Sequence, residues 1–157
     1  MAEPLLENDA PTFFGYLGIA SALIFANFGA AYGTAISGKG ICQMGISKPD
    51  SIIKSVIPVI MAGILGIYGL IVSVILIQKV NSKPDYDYVD GWKHLAAGLC
   101  CGLSSWAAGI AIGKAGEAGV LALGKQERIF VGLMLILIFA EALGLYGVII
   151  SLILAAQ

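Results

Sequence analysis

Four apolar stretches, each long enough to cross a lipid bilayer, leave this 157-residue chain few ways to fold. Lipid offers the backbone no hydrogen-bond partners, so a crossing segment must satisfy its own, and a helix of about 20 mostly apolar residues does so. Residues 11–38, 55–78, 95–113 and 129–156 meet that requirement, and the intervening segments 39–54, 79–94 and 114–128 hold nearly all the charges. With 59% hydrophobic and only 12% charged residues, the chain lies outside the range of soluble domains. The expectation is an all-α membrane protein with four transmembrane helices at about 11–38, 52–79, 92–115 and 127–156.

The charges are informative by position. The termini and the central loop share one side, with Lys79, Lys83 and Lys93 against Glu3, Glu7, Asp9, Asp85, Asp87 and Asp90. The opposite side carries Lys39, Lys48, Lys54, Lys114, Lys125 and Arg128 against Asp50, Glu117 and Glu127. Cytoplasmic loops are enriched in Lys and Arg, so the loops joining spans 1 to 2 and 3 to 4 are expected to face the cytosol. Phe13, Phe14, Tyr16, Tyr86, Tyr88 and Trp92 would then form an aromatic belt at the other interface. A net charge of −1 with scattered basic residues argues against nucleic acid as a partner. The segment 1–16 carries acids and no Lys or Arg, unlike a cleavable signal peptide, so the first span is expected to be retained. Cys42, Cys100 and Cys101 show no disulfide or zinc spacing and read as small apolar fillers.

The chain also repeats itself. Laid on 135–154, the segment 57–76 matches it with ten identities in twenty positions, and Gly66, Tyr68, Gly69 and Ser73 coincide with Gly144, Tyr146, Gly147 and Ser151. Shared Leu and Ile are cheap in apolar helices, but a shared Gly, Tyr and Ser pattern at one register marks a duplication. The two hairpin repeats are residues 1–78 and 79–157.

Within each repeat the two spans differ. Gly15, Gly18, Gly29 and Gly33 in the first span, and Gly98, Gly102, Gly109 and Gly113 in the third, recur at three-or-four spacing and multiples of it, on one helix face. Such stripes let backbones approach closely in lipid. The second and fourth spans are rich in Ile, Leu and Val. One arrangement satisfies both patterns: a ring with the glycine-rich spans crowded inside and the bulky spans outside, against lipid. A plain dimerising face is the simpler reading of any one stripe.

One residue does not suit its surroundings. Glu141 interrupts residues 135–154, where an ionised side chain costs roughly 2.5–3.5 kcal/mol. At its register the first repeat has Gly63. An acid that is neutral in lipid and ionised in an aqueous path is a proton carrier if something moves it between two such paths. A sodium site is the rival, yet a hard cation needs several oxygen ligands, and few hydroxyls beyond Tyr68, Tyr146, Ser104 and Ser105 lie nearby. Gly63, Tyr68 and Tyr146 are therefore the supporting residues. A packing hydrogen bond in a structural or pore-forming tetraspan protein is the bland alternative. His94 is expected to be a solvated or interfacial side chain at the membrane edge, Trp106 to face lipid or pack, and Pro58 to bend the second span a little over one turn before Gly63. No nucleophile, phosphate loop or metal cluster stands out, so the chain alone is expected to catalyse nothing and to hold no cofactor or metal.

The length, the duplicated hairpin, FGAAYGTAISGKGI at 28–41 and LILIFAEALGLYGVIISLIL at 135–154 together resemble the proteolipid family of eukaryotic vacuolar-type proton ATPases. The resemblance covers about residues 13–154. It implies that Glu141 is the proton-carrying carboxylate and that several copies, with other proteolipid subunits, form a rotor ring in the bilayer. It further implies a stator subunit whose arginine helps discharge Glu141, central-stalk subunits on the cytosolic side, and ATP hydrolysis on other subunits. Both termini would be lumenal, in the membrane of a vacuole, lysosome or other acidic compartment.

Overall fold

The computed structural model describes the backbone of residues 3–156 and the side chains of residues 10–156. Its helices are α1 (Glu3–Ser47), α2 (Ile52–Ser55), α3 (Ile57–Ser82), α4 (Tyr88–Lys125) and α5 (Phe130–Ala156), with short 3-10 turns at Pro49–Ser51 and Glu127–Ile129. Four helical stretches, Ala10–Ser47, Pro49–Ser82, Tyr88–Lys125 and Glu127–Ala156, are long and apolar enough to cross a membrane. This is an all-helical, multi-pass membrane protein.

α1 and α4 pack against each other at the centre, α3 lies against α1, and α5 lies against α4. The central contact is a glycine seam. A Cβ on Gly98 would strike the carbonyl of Gly18, and one on Gly109 the carbonyl of Gly29. From the α1 side, a Cβ on Gly18 would meet the His94 carbonyl, one on Gly29 would stand 2.5 Å from the Ser105 carbonyl oxygen, and one on Gly33 2.9 Å from that of Gly109. Gly102 and Gly113 continue the seam against Ser21 and Gly33, while Gly15 makes room for Tyr86. With no side chains between them, the two backbones touch, and dispersion between close-packed atoms takes the place of a hydrophobic drive that lipid does not supply.

The seam also corrects the expected helix ends. The segments 39–54 and 114–128 are not loops throughout, because α1 continues to Ser47 rather than ending near 38, and α4 runs from Tyr88 to Lys125 rather than from 92 to 115. At about 1.5 Å per residue the 45 residues of α1 extend about 68 Å, over twice the hydrocarbon core of about 30 Å. Packing outlasts the apolar stretch: Gly40 sits on the Glu117 backbone, Lys39 Nζ lies 3.0 Å from Glu117 Oε1, and Met44 is buried over Gly124.

Near Pro58 the second span is divided into α2 and α3. The helix is interrupted at Val56, and Pro58 occupies the first turn of α3, where its missing N–H costs least. At the other end of the bundle, Asp87 caps α4 by accepting from the Tyr88 N–H at 2.7 Å, with Asp90 reaching back to the Asp87 N–H. Lys83 pairs with Asp90, and Phe14 stacks on Trp92 at 4.5 Å. His94 is buried rather than solvated, because it faces the Tyr86 hydroxyl at 2.5 Å beneath that loop. Burial, and then the charge of Asp90, push the Tyr86 phenol up to about 12. Its hydroxyl and His94 Nδ1 share one hydrogen bond. Trp106 stacks on Phe25 at 5.9 Å and remains part exposed.

The two repeats pack alike. Ser73 Oγ donates to the Ile19 carbonyl at 2.9 Å, and Ser151 Oγ to the Ala97 carbonyl at 2.6 Å, which is the same pair in the other repeat. A Cβ on Gly69 would stand 2.7 Å from the Ala22 carbonyl oxygen, and one on Gly147 2.8 Å from that of Cys100, again the same pair. α3 therefore sits on α1 as α5 sits on α4.

Candidate functional site

Where the repeats meet, α5 also touches α3. Gly144 leaves a notch on α5, and Leu65 of α3 fills it, its Cδ2 2.7 Å from where a Cβ on Gly144 would be. Leu65, Ala108, Leu137 and Ala140 form one buried cluster around that contact. The knob sets the register of the two helices. One turn after Leu65, Tyr68 leans toward its own helix N-terminus, as helical side chains do, and so reaches Glu141, which lies one turn before Gly144. The Tyr68 hydroxyl donates to Glu141 Oε1 at 3.0 Å.

Glu141 lies near the middle of α5 and is partly buried. On one side it adjoins the buried cluster through Ala140; on the other stand Phe139 and Leu143, both exposed. The carboxyl is thus at the edge between the protein interior and the lipid-facing surface. One oxygen is held by a donor, and Tyr68 is its only polar partner in the hydrogen bonds of the described residues. Among the described residues no three His, Cys, Asp or Glu side chains stand together as a metal cluster would require.

Of the residues singled out in the sequence, the structure brings Tyr68 and Glu141 together. It does not bring Tyr146 to the carboxyl. Five residues further along α5, Tyr146 is turned about 140° around the helix axis and is exposed. Gly63 lies on the exposed face of α3, where a Cβ would meet nothing within 4 Å, beside a groove of about 350 Å³ shared with Leu23, Asn27, Ala30 and Gly66. Ser104 Oγ donates to the Cys101 carbonyl at 3.0 Å, so that hydroxyl serves its own helix. The Leu65 and Gly144 pairing, which aims the tyrosine, does not follow from sequence reasoning; the repeated Gly66–Tyr68 and Gly144–Tyr146 pattern is its visible trace.

The sequence profile of the ATP synthase C subunit family matches twice, over residues 17–76 and 95–154, at the same offset that relates the two halves. A Caenorhabditis elegans protein described as a V-type proton ATPase 16 kDa proteolipid is 61% identical over 146 residues, 92% of this chain and 91% of its own. The V-type proton ATPase 16 kDa proteolipid subunit of Chrysotila carterae is 60% identical over 157 residues, 98% of this chain and 95% of its own. The chain belongs to the V-type proton ATPase 16 kDa proteolipid family. A further proteolipid, from Ascaris suum, is 59% identical over 146 residues. Each matched module of this proteolipid pairs a glycine-rich helix with a bulky one, and Glu141 falls in the second module while Gly63 holds its place in the first.

Proposed function

We propose that the chain is a rotor-ring subunit in the membrane sector of an ATP-driven vacuolar-type proton pump, with Glu141 as its proton carrier. The observation that carries this reading is the Tyr68 to Glu141 hydrogen bond at the lipid edge of α3 and α5. It fixes one carboxyl oxygen and leaves the other to take and release a proton. Kinship with proteins described as proton ATPase proteolipids supplies the ion. The shortage of oxygen ligands argues the same way, since sodium needs several.

In this reading the protonated, neutral acid travels through lipid as the ring turns. At an aqueous path beside a stator subunit, a cationic side chain of that subunit stabilises the carboxylate, and the proton leaves. Tyr68 donates to the acid in either state, so the side chain is held in place while its charge changes. The termini are lumenal, and the ends of α1 and α4 that carry Lys39, Lys114 and Lys125 face the cytosol and the central stalk. ATP is hydrolysed on other subunits. One acid per four helices leaves more ATP energy for each proton, and moving a charge against 100 mV costs about 2.3 kcal/mol, which suits a pump working against steep gradients.

A structural role is the competing reading, because the same hydrogen bond ties α3 to α5. Glu141→Gln separates the two: a glutamine still accepts from Tyr68 but cannot release a proton. The expected outcome is assembly without ATP-driven acidification of membrane vesicles; retained acidification would exclude the carrier. Sodium transport is tested by whether sodium at constant pH shields Glu141 from a carboxyl-modifying carbodiimide. No protection is expected.

A further inference from the structure

At the end of the bundle that carries Lys39, Lys114 and Lys125, the short helix α2 stands off from the turn between α4 and α5. The gap is a cavity of about 290 Å³, lined by Ser51 and Lys54 on one side and by Leu123, Glu127 and Phe130 on the other. Its depth in the bilayer follows from charge. After Lys54 no charged residue occurs before Lys79, and after Arg128 none before Glu141, so the cavity lies where the hydrocarbon begins. Glu141 is about three turns further along α5, which makes this cavity separate from the Tyr68 and Glu141 pair.

Three of the lining groups have no partner among the described residues. Lys54 and Glu127 face one cavity yet do not pair; the ion pairs are Lys39 with Glu117 and Lys83 with Asp90. Ser51 is 5% exposed, and its side chain makes no hydrogen bond to the start of α2 or elsewhere. Unlike the sealed hydroxyls of Ser37 and Ser105, that of Ser51 keeps accessible surface, which opens on the cavity. A buried hydroxyl left without a partner costs about 1–3 kcal/mol, so its place here points to a ligand from outside the chain. The duplicated scaffold does not require these groups. The five lining positions correspond to Ile129, Gly132, Gly45, Pro49 and Ile52 of the other repeat, none of which has a charge or a hydroxyl.

We infer that this cavity binds the headgroup of a zwitterionic phospholipid from the adjoining leaflet. Lys54 pairs with the phosphate, Glu127 accepts from the ammonium, and Ser51 donates to a phosphate or ester oxygen. Leu123 and Phe130 supply an apolar wall for the first carbons of an acyl chain. An anionic lipid would satisfy Lys54 but meet repulsion from Glu127, whereas a zwitterion matches both charges at once. The volume lies near the lower end for small-ligand sites and suits a headgroup rather than a whole lipid. Bound there, the headgroup ties α2 of the first repeat to the α4 and α5 turn of the second.

Photolabelling tests the site. The full complex, purified in detergent, is mixed with phosphatidylethanolamine that carries a photoreactive group near the start of one acyl chain, and the labelled residues are mapped by mass spectrometry. Phe139, 73% exposed on the lipid face of α5, reports ordinary lipid contact. Label is expected within residues 123–130, displaced by unlabelled phosphatidylethanolamine and far less by phosphatidylglycerol with the same chains. Lys54→Gln and Glu127→Gln should each weaken that label about tenfold or more, as loss of one hydrogen bond to a charged group implies, and leave the label at Phe139 unchanged. The competition uses the unaltered chain, so it decides the matter even where a variant does not assemble. Equal displacement by phosphatidylglycerol would overturn the zwitterionic site in favour of simple attraction of anions. Label at 123–130 that neither substitution reduces would mean ordinary bilayer contact and would overturn the site. Label at Phe139 with none at 123–130 would show a cavity filled by water or covered by another subunit, and would overturn it equally.

Discussion

Residues 57–76 and 135–154 are one helix written twice and set in two environments. Their inner faces do the same work: Ser73 and Ser151 bond equivalent carbonyls, and Gly69 and Gly147 admit equivalent backbones. Their outer faces diverge. On α3 the Leu65, Tyr68 and Val72 face is covered by the second repeat, while on α5 its counterpart is bare. At one register α5 has an acid and α3 has no side chain at all. A duplicated sequence preserves the contacts within a repeat, whereas the contacts between repeats depend on which copy stands next in line. The single carboxylate therefore meets Tyr68 of its own chain, while Tyr146 stands exposed on α5.

Four sets of substitutions test that contrast, from the largest effect to the smallest. Glu141→Gln should abolish ATP-driven acidification with the protein still assembled, while Gly63→Gln, at the same register in the other repeat, leaves Glu141 in place and should retain more of it; initial rates of vesicle acidification measure both. Gly98→Ala should destabilise the bundle by about 1–3 kcal/mol, because the new methyl group meets the Gly18 carbonyl, a backbone atom that cannot step aside. Gly63→Ala, with open space around it, should be neutral or up to about 1 kcal/mol stabilising through helix propensity. Thermal unfolding in detergent compares the two, and equal effects would mean that the glycine seam is not packed as described.

Tyr68→Phe should slow acidification by up to about tenfold, since it removes one hydrogen bond of about 1 kcal/mol from Glu141. Tyr146→Phe should leave the intrinsic reactivity of Glu141 toward carbodiimide unchanged. If both tyrosines alter that reactivity equally, the distinction between the two environments is lost. Last, Ser73→Ala and Ser151→Ala should cost similar small amounts, about 0.6 kcal/mol each as is common for hydrogen bonds between membrane helices. Unequal losses in thermal stability would show that the repeats do not pack alike.

Much of the architecture is legible in the sequence because bilayers restrict the choices. Span number follows from apolar length, and the duplication from a Gly, Tyr and Ser pattern that composition does not produce. The helix ends are not legible at Gly38 or at Trp92. Charge marks where lipid stops, whereas α1 and α4 stay helical and packed on each other beyond that point. His94 escapes for a related reason, since position along a span says nothing about which loop folds over it. The repeat treats Tyr68 and Tyr146 alike and so groups both with Glu141, but only Tyr68 bonds it.

The sequence by itself determined that this chain crosses a membrane four times, that it is a doubled hairpin, and that Glu141 is an acid where acids are costly. Those properties depend on hydropathy, periodicity and local identity, which act along the chain. Only the tertiary structure decided that Tyr68 rather than Tyr146 holds Glu141, and that Leu65 in the Gly144 notch is what aims it. That choice depends on which faces of two helices far apart in the chain lie together, and packing alone determines it.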